Sequence, residues 1–148
     1  MKKIKLFVLL ITLVLLTGCK EIKVPYEPDD YIQILTEMQL PIDIRTEEFE
    51  YSEMTVLSST NNFYALYMKG KRRYDIEGLF LDECRNVYSE ALEGYKKKTA
   101  GDDGWVSLEV EDDKHYYYVI YVEDTFLSIK TDAVNKAVAR NLIEKMGY

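Results

Sequence analysis

Histidine occurs once in this chain of 148 residues, at position 115, so a metal site built on several histidines is excluded within one molecule. Basic residues are outnumbered, 19 Lys and Arg against 26 Asp and Glu. A nucleic-acid partner is excluded on that ground, because a phosphate backbone demands a concentrated basic footprint. Cysteine is nearly missing, with residues at positions 19 and 84 only. No internal repeat, low-complexity tract or nucleophile motif is visible, and no cofactor is implied. One long apolar run exists, Leu6 to Leu16, broken by Thr12. It falls short of the ~20 residues that a bilayer-spanning helix needs.

That run follows Met1-Lys2-Lys3-Ile4-Lys5 and leads into Leu16-Thr17-Gly18-Cys19. A charged start, an apolar stretch and a small-residue cut site, in that order, describe a secretory signal peptide. The LTGC run resembles the lipobox of bacterial lipoproteins, a resemblance confined to the N-terminal segment. In that family a diacylglycerol is joined to the cysteine by a thioether, and the lipoprotein signal peptidase then cuts just before it. The resemblance implies cleavage between Gly18 and Cys19, a lipidated Cys19 at the head of the mature chain, and a place on the extracytoplasmic face of a cell membrane. Two acyl chains anchor stably where one binds reversibly, each buried CH₂ contributing ~0.8 kcal/mol.

On this reading residues 1–18 are signal peptide, 19–29 are the lipidated cysteine and its tether, and 30–148 form a single domain. The tether carries Pro25 and Pro28 and reaches roughly 30 Å when fully stretched. Loss of Lys2, Lys3 and Lys5 leaves 16 basic residues against 26 acidic ones, a formal net charge of −10. Broad electrostatic docking onto anionic lipid is disfavoured by that charge, which also keeps a surface protein soluble. A lipidated Cys19 leaves Cys84 with no intramolecular disulfide partner, so the domain must hold by packing, with 13 tyrosines to supply much of it.

Periodicity predicts an α+β fold. Asp29-Asp30 offers an N-cap to a short helix with Tyr31, Ile34, Leu35 and Met38 on one face and Pro41 as its stop. From Pro41 to Tyr74 two strands are expected, with 47–57 readable as strand or helix, since short apolar runs are ambiguous. Asp75 to Lys98 reads as a long amphipathic helix with Phe80, Cys84, Val87, Tyr88, Ala91, Leu92 and Tyr95 inward, closed by Lys96-Lys97-Lys98. Three strands follow, over 105–111, 116–122 and 125–130, with Val106, Leu108, Val110, Leu127 and Ile129 read as one inward set. A final helix begins at Thr131 or Asp132. Grouped strands with helices before and after predict an antiparallel sheet, a three-stranded C-terminal meander plus further strands, with two or three helices packed on one face.

Few residues advertise chemistry. His115 lies beside Glu111, Asp112 and Asp113, which makes a one-histidine carboxylate site conceivable, but a solvated hairpin explains the same residues and no metal site is expected. The acidic pairs Asp29-Asp30, Glu47-Glu48, Asp82-Glu83 and Asp102-Asp103 are poor glycosidase candidates, because such chemistry needs carboxylates held across a cleft. Cys84 sits on an inward stripe and reads as a core cysteine. Lys69, Lys71, Arg72 and Arg73 form a basic cluster that suits lipid head groups, a wall polymer or plain solvent. The aromatic set Trp105, Tyr116, Tyr117, Tyr118, Tyr121 and Phe126 is the main candidate binding face, since Tyr and Trp give contact area at low entropy cost. A second layer over that face would make it core instead.

These features favour a non-enzymatic lipoprotein, held to the membrane through Cys19, that binds an envelope protein or polymer. A small-ligand carrier or sensor, with a tyrosine-lined pocket between sheet and helices, is the alternative. An envelope-acting hydrolase and an exclusion or immunity lipoprotein rank lower.

Overall fold

The β-prone runs join into a larger sheet than the C-terminal meander alone. The computed structural model describes residues 22–46 and 50–148; the segment read as a signal peptide, Cys19 and residues 47–49 lie outside the described residues. The chain runs α1 (Pro28–Glu37), β1 (Asp43–Thr46), β2 (Ser52–Thr60), β3 (Phe63–Gly70), α2 (Arg73–Glu90), β4 (Lys96–Asp102), β5 (Trp105–Glu111), β6 (His115–Val122), β7 (Thr125–Asp132), a 3₁₀ turn (Ala133–Asn135) and α3 (Lys136–Lys145). The seven strands form one antiparallel sheet in the order β1-β2-β3-β7-β6-β5-β4. Two meanders, β1–β3 and β4–β7, therefore meet side by side where β3 pairs with β7. The fold is α+β, as the periodicity predicts.

Helices cover both faces, not one. The Ile76, Phe80 and Val87 side of α2 packs on Met68, Leu108, Val110, Tyr117, Val119 and Phe126. Helices α1 and α3 pack Tyr31, Leu35, Ala139 and Leu142 on the opposite face, against Val56, Ala65, Tyr67, Ile120, Leu127 and Ile129. Burial of each Leu, Ile or Phe in these layers contributes ~1.5–3 kcal/mol. Tyr31 stacks on Tyr67 with ring centroids 4.8 Å apart, an offset arrangement that adds to the area term.

The expected inward set splits because of strand register. Leu108 stands opposite Val119, and Val119 stands opposite Ser128. Directly opposed residues share a face, so Leu108 lies with Ser128 under α2, while Leu127 and Ile129 point the other way. The β5–β6 and β6–β7 hairpins each join their strands through an even number of residues, so odd positions of one strand pair with even positions of the next. A one-residue difference in that count exchanges the faces of the whole strand.

Lys96, Lys97 and Lys98 do not close α2. The helix ends at Glu90, Gly94 turns the chain at φ 82°, and the lysines open the edge strand β4. There Lys96 and Lys98 stand opposite Glu111 and Glu109 of β5, and Lys97 places its ammonium 5.5 Å from the Tyr88 ring centroid. Tyr88, Leu92 and Tyr95, expected on the inward stripe, are exposed. At the other end, α1 starts on Pro28 in the first helical position, where its missing N–H costs nothing. Asp29 and Asp30 fall inside the first turn, not at the cap.

Candidate functional site

Helices α1 and α3 stand over β2, β3 and β7, leaving part of β4 and β5 on that face uncovered. The inner residues of β5 on this side turn from Trp105 to Ser107, Glu109 and Glu111, a sequence too polar to bury under a helix. An open cleft of about 350 Å³ results. Trp105, Tyr116 and Tyr118 line its β5–β6 side, Arg140, Ile143 and Glu144 come from α3, and Lys98 and Ala100 come from the β4 edge. Lys23 and Tyr148 complete the lining.

Aromatic rings and fixed charges alternate in this cleft. The Lys23 ammonium lies 4.7 Å from the Trp105 ring centroid, within cation–π range. Arg140 donates to Glu109 Oε1 at 2.9 Å and holds its guanidinium carbon 6.0 Å from the Tyr116 centroid. One turn earlier, Lys136 pairs with Glu111 and lies 5.4 Å from the same ring. Burial, helped by the charge of Glu109, pushes the Tyr116 hydroxyl well above its ordinary pKa, so it stays a neutral donor across the physiological range. The Lys98 side chain makes no hydrogen bond or ion pair with another described residue. An aromatic floor with cations and carboxylates at the rim suits a ligand with one flat or apolar surface and polar groups of its own.

The aromatic set read from the sequence does not form one face. Trp105, Tyr116 and Tyr118 belong to the cleft side, whereas Tyr117, Tyr121 and Phe126 pack beneath α2. Tyr121 meets Phe80 edge-on at 5.2 Å, and Tyr117 and Phe126 are 2% and 3% exposed. Alternation along β6 makes this unavoidable: three consecutive tyrosines cannot share a side of a strand. An exposed apolar sheet face is thus replaced by a recessed cleft with aromatics at its base.

The basic cluster is balanced by carboxylates. Lys69 pairs with Asp124 at 3.0 Å and Glu27 at 3.5 Å, Arg72 with Asp75 at 2.8 Å, and Arg73 with Glu77 at 2.7 Å. Lys71 donates to the Glu50 carbonyl. With each base so engaged, this surface presents little net positive field.

Of the carboxylates near His115, Glu111 and Asp112 are likewise occupied. Asp112, with a buried side chain, accepts from the backbone N–H of Leu92 at 3.0 Å and of Lys114 and His115 at 2.8 Å each. Burial alone would raise its pKa, but those three amides, with His115 beside them, bring it down to about 2. Asp112 is therefore a pin that ties the end of α2 to the β5–β6 turn, where a solvated turn residue was expected. Among the described residues no three His, Cys, Asp or Glu side chains come together as a metal-binding group. Burial, then the charge of Glu83, pushes the Cys84 thiol up to about 11, the state of a packed cysteine and not of a nucleophile.

Lys23, Lys98, Arg140, Glu144 and Tyr148 were not singled out from the sequence. The available signal was the spacing of Lys136, Arg140 and Glu144, four residues apart and so on one side of the last helix.

No protein-family profile matches this chain, and no curated protein does. Among solved structures, a GTP-binding regulator from Thermotoga maritima is similar with a TM-score of 0.49 at 9% identity, over 84% of this chain and 88% of that one. A likeness of that size carries no functional information. No helix among the described residues is long and apolar enough to cross a membrane.

Proposed function

We propose that this chain is an extracytoplasmic lipoprotein, attached to the membrane through Cys19, that acts without catalysis by binding a small ligand in the cleft between α3 and β4–β5. The cleft supports the carrier or sensor reading over a flat protein-binding face, because the aromatic side chains are recessed and ringed with charge. Its lining offers ring surfaces, donors on Lys98 and Arg140, and acceptors on Glu109 and Glu144. It offers no histidine and no activated nucleophile, so recognition accounts for the arrangement without a reaction.

Trp105 is the sole tryptophan and lines the cleft, so its fluorescence reports occupancy directly. Titrating the protein with soluble cell-wall fragments, sugars and amino acids should identify a ligand that changes Trp105 emission saturably. Replacing Arg140 with Ala should shift that change to at least about tenfold higher ligand concentration while the far-UV circular dichroism stays the same. A ligand bound with equal affinity by the Arg140→Ala and Lys98→Ala proteins would place binding elsewhere. Mass spectrometry of the membrane-extracted protein tests the anchor separately, through a diacylglyceryl thioether on a chain that begins at Cys19.

A further inference from the structure

The segment read as a free tether is clamped onto the domain. The Tyr26 amide donates to the Tyr148 hydroxyl at 3.1 Å, and the Tyr26 carbonyl accepts from the Tyr67 hydroxyl at 2.5 Å. Glu27 reaches Lys69, and Lys23 lies over Trp105. From Lys23 onward the chain is thus held to the folded unit, and four residue steps separate Lys23 from Cys19. Four residues span at most ~14 Å, less than half the reach read from the sequence.

The clamp also fixes which end of the domain lies near Cys19. Trp105 at the start of β5 pairs with Val122, Val122 pairs with Thr125, and Thr125 pairs with Lys69. These residues mark one end of the sheet, where α2 also begins. Three of the most exposed apolar side chains lie at this end, namely Ile22 at 82%, Val24 at 68% and Tyr74 at 81%. Val24 shares a surface hollow with Lys71, Arg72 and Arg73, the residues leading into Tyr74. Val134, equally exposed at 85%, follows the far end of β7, about 26 Å away along the strand.

Resting on the reading of Cys19 as the lipid anchor, we propose that this end of the domain docks into the bilayer interface through Ile22, Val24 and Tyr74. The domain then stands in one orientation on the membrane and does not swing. Each contact is weak alone, but the anchor makes docking intramolecular, so a high effective concentration replaces intrinsic affinity. Tyrosine suits the interface because its ring accepts an apolar setting while its hydroxyl stays wet. The bases at this end are matched by Glu27, Asp75, Glu77 and Asp124, so docking is carried by apolar contact and not by anionic lipid. The cleft, which Lys23 also lines, opens beside the membrane in this pose.

Hydrogen exchange on the full lipidated protein in phosphatidylcholine vesicles tests the proposal. Amides around 22–24 and 72–74 should exchange roughly fivefold or more slowly than in a lipidated Val24→Asp/Tyr74→Asp protein. Amides of 133–135 should exchange alike in both, and protected β6 amides in both confirm folding. The slowing should survive ~1 M salt, where charge interactions are screened beyond ~3 Å. Equal exchange in the two proteins, both floating with the vesicles, overturns the docking and leaves the anchor standing. Loss of the slowing in salt overturns the apolar mechanism. A wild-type protein that floats with the vesicles although its Cys19 carries no thioether overturns the anchor, and the docking with it.

Discussion

The two faces of the sheet are closed to different degrees. On one, the single long helix α2 lies over β3, β7 and β6 and packs Phe80 against Tyr121. On the other, two shorter helices crowd over β2, β3 and β7 and leave β5 open with Glu109 and Glu111 lining the gap. The α2 side spends its aromatic residues on stability. The α1–α3 side buries Trp105, Tyr116 and Tyr118 as well, but sets them as the floor of a cleft whose rim is charged. Aromatic abundance alone therefore says little about binding in this protein; what matters is which parity of strand position lies under a helix.

That contrast can be broken from either side. The largest effect is expected from Phe80→Ala on the sealed face, which should lower the unfolding free energy by about 3–4 kcal/mol in urea denaturation. Ligand binding in the cleft should survive at temperatures where this variant is folded. Next comes Asp112, the pin between α2 and the β5–β6 turn. Its replacement by Ala leaves three backbone amides without their charged acceptor and should cost about 2 kcal/mol. Because its pKa is lowered on folding, from 3.8 to about 2, its stabilisation is complete above about pH 4 and is lost as the pH falls toward 2. The Asp112→Asn protein should show a flatter stability profile across that window.

Smaller effects are expected on the open side. Lys98→Glu would set two like charges directly opposite each other, since Lys98 faces Glu109 across the strands, and should cost about 0.5 kcal/mol. Arg140→Ala removes a largely exposed ion pair and should change stability by less than about 0.5 kcal/mol, while weakening cleft binding by tenfold or more. If Arg140→Ala destabilised the fold as much as Phe80→Ala, the open side would be core and the distinction between the faces would collapse.

The C-terminal meander and its helices were legible because their periodicities are strong. Val106, Leu108 and Val110 alternate cleanly with polar residues, and β6 is apolar on both sides, as a central strand between two covered faces must be. Register was not legible: nothing local to Leu127 says whether it sits with Leu108 or against it, because that depends on the residue count of two turns. Lys96 to Lys98 misled for a related reason. Three lysines suit a helix C-terminus and an edge strand equally, and the choice was made by Gly94 and by the reach of Asp112 to Leu92. The short strand β1 was missed because Asp43 to Thr46, exposed throughout, carries no apolar pattern. The cleft combines residues from positions 23 to 148, and no local pattern holds such a set together. Its aromatic floor was visible as composition, its charged rim only as a helical spacing on α3.

The three lysines of β4 have a consequence for crowding. On the proposed lipid anchor, copies would share a surface instead of a volume, so neighbours would meet edge to edge far more often than in free solution. An unguarded outer strand would invite one sheet to continue into the next. Lys96, Lys97 and Lys98, all exposed along that edge, make each such meeting a repulsion between like charges. The strand that borders the cleft thereby keeps the copies apart, and each cleft stays clear of its neighbours.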